Sequence, residues 1–183
     1  MSLLSTPAVD LGMKAPDFKL LGVSGRQYSL SDVRGPKGLV VMFICNHCPY
    51  VKGIISRLPG YVHTLQDNGI GVVAIMPNDT DSYPEDSFEN MKTFAARHDF
   101  TFPYLIDETQ KVAQAYGAVC TPDFFGFDGR LTLQYRGRLD SAGREAATTH
   151  TVPELENAML AIASGRPAPA EQLPSMGCSI KWK

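Results

Sequence analysis

Gly38-Leu-Val-Val-Met-Phe-Ile44 constrains this chain more than any other stretch. It is continuously apolar, rich in strand-forming residues and without polar alternation, as a strand covered on both faces requires. It is also far too short to cross a bilayer as a helix. After Pro49 the period changes: Val51, Ile54, Ile55, Leu58, Tyr61, Val62 and Leu65 mark one face of a helix running towards Asp67. Pro59 predicts a kink or interruption within it. Asn68-Gly69 closes that helix, and Ile70-Gly-Val-Val-Ala-Ile-Met76 reads as a second buried strand. Two strands joined through a helix run parallel and need cover on both sheet faces, so the class is α/β.

The flanking segments extend this unit. Residues 17–30 suggest a small hairpin around Gly22-Val-Ser-Gly25, and Ser31 to Pro36 a short helical turn or loop. Asn78 to Ser87 reads as a polar loop, Phe88 to His98 as a helix, and Phe102 to Ile106 as a short extended segment. Asp107 can cap the turn that carries Val112, Ala113 and Tyr116. Asp128-Gly129 supplies a hairpin turn from Asp123-Phe-Phe-Gly-Phe127 into Leu131–Arg136, an antiparallel pair. A last helix is expected after Thr151, with Glu154 at capping-box spacing, ending at Gly165. Neither a linker between two cores nor an internal repeat is visible, so residues 1–183 are read as a single domain. Within it, 166–183 form a tail over the surface.

The net charge of -2 gives no reason to expect nucleic acid or an anionic membrane as a partner. The start, MSLLSTPAVDLG, lacks the basic run and apolar core of a secretory signal, and a cytoplasmic location is expected. No Gly-rich phosphate loop or nucleotide fingerprint occurs at a suitable junction, so no organic cofactor is expected. Asp79 to Glu89 reads as a loop and helix start rather than a hydrolytic centre.

The chemistry concentrates in Cys45-Asn-His47-Cys48-Pro49, between the first buried strand and its helix. With Pro49 in the first helical position, Cys48 lies among unpaired N–H groups and the positive helix end. Such a setting lowers a thiol pKa from about 8.5 into the range of roughly 3.5 to 7.5, and the thiolate is the nucleophile. Cys45 and Cys48 form a Cys-x-x-Cys sequence, but the helix begins at the second cysteine, leaving Cys45 at the strand end or in the loop. Cys48 is therefore preferred as the attacking sulfur. His47 is open to three roles: donating to the thiolate, assisting proton transfer, or facing solvent. Cys45, His47 and Cys48 are also soft metal ligands, and Cys120 or Cys178 could complete a zinc site. Without a second close cysteine pair, no metal is expected.

The arrangement resembles the thioredoxin-like superfamily, in its redoxin branch of peroxiredoxins and thiol-disulfide oxidoreductases. The resemblance runs from about Gly12 to Ile162 and rests on several motifs together. These are Ala15-Pro-Asp-Phe18, Leu30-Ser-Asp, the strand before Cys48-Pro49, Tyr116-Gly117, Thr121-Pro122 and Phe125-Gly-Phe-Asp128-Gly-Arg. Cys45-Asn-His-Cys-Pro-Tyr-Val51 and the ending Met176-Gly-Cys-Ser-Ile-Lys-Trp182 are closest to uncharacterised redoxin-like proteins. The resemblance implies a thioredoxin-like fold: a central mixed β-sheet flanked by helices, with the N-terminal β-hairpin as an extension. It also implies that Cys48 attacks and that Pro122 is cis beside it, leaving the Thr121 carbonyl to receive an extended thiol-bearing substrate.

Two departures bear on the reaction. The oxidoreductase pattern Cys-Pro-x-Cys becomes Cys48-Pro-Tyr-Val51, without the usual resolving cysteine. Cys45 stands where peroxiredoxins carry a threonine, and their active-site arginine has no match unless Arg136 or Arg138 takes its place. Resolving candidates rank as Cys45, then Cys120 across the proline loop, then Cys178 if the tail folds back; Trp182 offers that tail a packing anchor. The leading expectation is a thiol-dependent oxidoreductase acting on disulfides, with a protein or small-molecule thiol as reductant. The alternatives are a thiol peroxidase and a non-catalytic binding or redox-sensing domain. A homodimer is compatible with each.

Overall fold

The computed structural model describes residues 2–7 and 10–183. In chain order the strands are β1 (Leu3–Ser5), β2 (Lys19–Gly22), β3 (Gln27–Ser29), β4 (Gly38–Phe43), β5 (Ile70–Met76), β6 (Tyr104–Ile106), β7 (Cys120–Thr121), β8 (Asp123–Asp128), β9 (Leu133–Gly137) and β10 (Met176–Ser179). The helices are α1 (Leu30–Val33), α2 (Pro49–Ile54), α3 (Leu58–Asp67), α4 (Phe88–Arg97), α5 (Lys111–Tyr116) and α6 (Glu154–Ala163), with a 3-10 turn at Pro84–Asp86.

Seven strands form a mixed sheet in the order β3-β2-β6-β5-β4-β8-β9. The β4–β5 and β5–β6 pairs are parallel, whereas β8 runs antiparallel to both β4 and β9. Every residue of β4 is buried because successive side chains enter different cores. Leu39, Val41 and Phe43 pack with Val33 of α1, Tyr116 of α5, and Phe125 and Phe127. Val40 and Met42 pack with Val62 and Leu65 of α3, Met91 of α4, and Leu155 and Met159 of α6. The lack of polar alternation in the sequence thus follows from helices on both faces. The expected N-terminal hairpin is β2–β3, which joins the sheet through β6.

Three local expectations need correction. The long helix after Cys48 is two helices, broken at residues 55–57, before Pro59 rather than at it. Pro59 lies in the first turn of α3, where its missing N–H costs nothing. The last helix begins at Glu154 with Pro153 as its N-cap; the Thr151 hydroxyl instead accepts from the Thr148 N–H at 2.8 Å, so no capping box forms. The tail does not stay on the surface: β10 lies between β1 and β7 in a second, three-stranded sheet. Ser175, Gly177, Cys178 and Ile180 are buried there. Trp182 is 43% exposed. Hydrogen bonds hold the tail, from Ile180 N–H to the Val119 carbonyl (3.0 Å) and from Lys181 N–H to the Asn78 side-chain Oδ1 (2.9 Å). Gln110 adds a donated bond to the Lys181 carbonyl and an accepted one from Lys183 N–H, each 2.8 Å.

Candidate active site

Cys48 is the N-cap of α2, with extended backbone (φ -63°, ψ 125°), and its carbonyl accepts the Lys52 N–H at 2.9 Å. Pro49 follows as the first helical residue, so the sulfur sits where the sequence located it, at the strand-to-helix junction. Cys48 Sγ lies 3.3 Å from the Thr121 carbonyl oxygen and 2.8 Å from Cys178 Sγ. The Thr121–Pro122 peptide bond is cis, in keeping with the family resemblance.

The Cys48 thiol is shifted down to about 5. The largest cause is the Cys45 thiol, which donates to the Cys48 sulfur; burial opposes it, and the Cys178 thiol and the N–H groups of Val51 and Cys178 add to it. Cys48 makes no side-chain capping bond, and the helix start acts on its sulfur through the Val51 N–H of the first turn. The sulfur is also fully covered, with no exposed surface on Cys48. A cavity of about 230 Å³ is lined by Tyr50, Pro122, Phe124, Arg138, Ser175 and Met176 among others. Cys48 and Cys178 do not line it, but Tyr50, Pro122 and Met176 lie within two positions of Cys48, Thr121 and Cys178 in the chain.

The other cysteines stay protonated. Cys45, 1% exposed, lies 3.3 Å from Thr121 Oγ1, and its pKa is pushed well up by its bond to Cys48, by burial and by Asp86. Cys178 is raised to about 12 by burial and by the neighbouring Cys48 charge. Cys120 is raised by burial and by Asp123, with smaller contributions from Cys48 and Cys178, and its sulfur lies 3.8 Å from the Pro122 carbonyl. Of the three thiols ranked from the sequence, the last, Cys178, is the one the structure brings into direct sulfur contact with Cys48.

His47 turns to a carboxylate. Its Nδ1 lies 2.7 Å from Asp86 Oδ2, its ring stacks on Tyr83, and the Asp86 contact raises its pKa. Asp86 is fully buried and also accepts the Asn46 N–H on Oδ1 and the Asn78 amide on Oδ2, both at 2.8 Å. Asn78 in turn receives the tail at Lys181. Sequence reasoning missed Asp86, Asn78 and Gln110, because nothing in a polar loop separates a buried carboxylate or amide from a solvated one. Of the two arginines raised as stand-ins for the peroxiredoxin arginine, Arg136 pairs with buried Asp123 (2.9 Å), and Arg138 pairs with Glu154 (2.5 Å) and lines the same cavity as Pro122 and Met176.

Cys45, His47 and Asp86 bring ligand atoms within 4.8 Å of one another. Both Asp86 oxygens accept hydrogen bonds and the His47 Nδ1 is directed at Asp86, whereas the Cys45 sulfur contacts Thr121 Oγ1.

A mixed sheet with a cysteine capping the helix after its central strand, set against a cis-proline loop, defines a thioredoxin-like redoxin. The AhpC/TSA family model matches residues 11–136, and the chain belongs to that family. It is similar to the thiol-disulfide oxidoreductase ResA of Geobacillus thermodenitrificans, 31% identical over 121 residues, 66% of this chain and 65% of the relative. The match thus spans somewhat less than two thirds of that protein's length. Among solved structures it is similar to an uncharacterized conserved protein from Geobacillus kaustophilus, with 45% identity and a TM-score of 0.95 over 100% of this chain and 97% of the other. A hypothetical protein from Sinorhizobium meliloti 1021 gives 36% identity and a TM-score of 0.93 over 98% of each chain. Among the described residues, no helix is long and apolar enough to cross a membrane.

Proposed function

We propose that this protein is a thiol-dependent oxidoreductase in which Cys48 attacks a disulfide and Cys178 resolves the product. The observation that carries this reading is the 2.8 Å sulfur contact between a cysteine shifted down to about 5 and one held up at about 12. One sulfur is a thiolate at neutral pH, and the other waits protonated beside it.

In the first half-reaction the Cys48 thiolate attacks one sulfur of a disulfide; a new S–S bond forms, the substrate S–S bond breaks and a thiolate leaves. Cys48 then carries no charge, which removes one of the influences that hold Cys178 high. Cys178 gives up its proton, attacks Cys48 Sγ and releases the second substrate thiol. Cys48 and Cys178 are left oxidised to a disulfide, and the substrate has gained two electrons, with one proton from Cys178 and one from solvent. An external thiol reverses the oxidation most readily by attacking Cys178, because low-pKa Cys48 is the better leaving group. That reductant would be a protein or small-molecule thiol, as a reducing compartment such as the cytoplasm supplies. Exposed Leu3, Leu4 and Met176 offer apolar area that a homodimer would cover.

A second reading, peroxide reduction, draws on the same closed site, which favours the smallest substrates. Cys48 would attack an O–O bond to give a sulfenic acid and an alcohol or water, and Cys178 would displace water to form the same disulfide. Stopped-flow mixing of the reduced protein with hydrogen peroxide and with a model disulfide separates the two. Wild type should form the Cys48–Cys178 disulfide with the model disulfide, Cys178→Ser should stop at the mixed disulfide, and Cys48→Ala should not react. Fast sulfenic acid formation without reaction towards the disulfide selects the peroxidase reading, and reaction with neither refutes both.

A further inference from the structure

The strand carrying Cys178 occupies the edge of the segment that leads into the cis Thr121–Pro122 bond, beside the Cys48 sulfur. β10 runs antiparallel to β7, with Cys178 opposite Thr121 and Ser179 opposite Cys120. Adding a strand to an open edge beside the reacting sulfur is a general way to hold an extended polypeptide. Here the chain's own tail has taken that edge and delivers its sulfur to Cys48. The far side of β10 is closed in turn by β1, with Leu3 opposite Cys178.

The sequence is built for this fit. A Cβ on Gly177 would collide with the Thr121 carbonyl and stand 3.0 Å from Pro122 N, so only glycine lets the tail approach the proline loop. Ser175 Oγ donates to the Pro122 carbonyl at 2.6 Å, and beyond Cys178 the anchors at Val119, Asn78 and Gln110 hold the strand end. Cys178 also lies outside the segment that the family model matches.

We propose that β10 is a tethered occupant of the substrate-strand groove, so that the site takes low-mass disulfides and turns away extended polypeptide disulfides. This rests on the disulfide reading of Cys48 given above. A small disulfide seats one half in the cavity beside Tyr50, Pro122 and Met176 and reaches Cys48 after local opening at Cys178. An extended chain needs the whole of β10 to leave, breaking its pairing with β1 and β7 and the anchors at its end. The exchange chemistry is that already described, with both thiols of a small disulfide released and Cys48–Cys178 oxidised.

The test compares hydroxyethyl disulfide with insulin as oxidants of the reduced protein, following Cys48–Cys178 disulfide formation by mass spectrometry. Wild type should react with hydroxyethyl disulfide about tenfold faster per disulfide, or more. Gly177→Val, which overpacks the strand against Thr121, should raise the ratio of insulin rate to hydroxyethyl disulfide rate by about tenfold. Gln110→Ala loosens the tail far from the sulfurs and should raise the same ratio more modestly. Hydrogen exchange at residues 177–180 reports tail release in each protein. Equal wild-type rates with the two oxidants overturn the proposal, as does an unchanged ratio in variants whose tail amides exchange faster. In both cases Cys48 still reacts, so the function stands; a Cys48 inert to hydroxyethyl disulfide overturns the function and this inference with it.

Discussion

Replacing Cys45 by alanine removes the largest influence on the Cys48 sulfur while leaving the helix start, Cys178 and the proline loop in place. A hydrogen bond to a charged group is worth about 1.5–3 kcal/mol, and about 1.4 kcal/mol moves a pKa by one unit. A thiol is a weak donor, so the lower end applies and the midpoint should rise by about one unit. Starting from about 5, Cys45→Ala should therefore titrate near 6. At pH 6 the thiolate fraction falls from about nine tenths to about one half. The structure makes the assay clean, because Cys45, Cys120 and Cys178 are all shifted upward. Ultraviolet thiolate absorbance followed from acid to weakly alkaline pH then shows one step, that of Cys48. Cys45→Ser, which keeps a donor, should move the midpoint less than alanine. An alanine variant that titrates with the wild-type midpoint would refute the donor role of Cys45. A wild-type step near the free-thiol value of about 8.5 would refute the reactive-sulfur argument itself.

Asp86 raises the His47 pKa, so the stabilisation from this pair is fully present below the unfolded histidine value of about 6.5 and is lost as pH rises through the higher folded value. The wild-type advantage over His47→Gln in urea denaturation should accordingly be full in mild acid and shrink as pH rises above about 6.5; a constant difference contradicts the pairing. Arg57 makes a bidentate contact with fully buried Asp140 and also donates to the carbonyls of Gly53, Gly143 and Glu145. Arg57→Ala strands that carboxylate with Tyr61 as its remaining side-chain donor and should cost about 3–5 kcal/mol in urea unfolding; a loss below about 1 kcal/mol contradicts the assignment.

Much of the fold was legible because its signals are local. Gly38–Ile44 and Ile70–Met76 each carry the pattern of a strand covered on two faces, and both lie at the middle of the sheet. The Asp128-Gly129 turn marked the β8–β9 hairpin, and the change of period after Pro49 put Cys48 at a helix start. The misreadings arose where a residue's partner is distant in sequence. Thr151 and Glu154 have capping-box spacing, yet Arg138, on another segment, takes the Glu154 side chain. Asp86 looked like one more solvated acid of a loop until folding brought His47, Asn46 and Asn78 around it.

The amino-acid order by itself determined the α/β class, the strand-to-helix junction and the identity of the nucleophilic cysteine candidate, since each depends on residues within a turn or two. Only the tertiary structure decided which thiols surround that sulfur and which of them meets it. Cys45 is three positions from Cys48 and Cys178 is far beyond it in the chain, yet both thiols act on the Cys48 sulfur and Cys178 reaches it at 2.8 Å. The physical reason is that the tail's docking depends on groups dispersed along the chain: a glycine that clears the Thr121 carbonyl, a serine on Pro122, and amides at Asn78 and Gln110. Each is unremarkable where it stands in the sequence, and they become a binding surface only when the sheet assembles them.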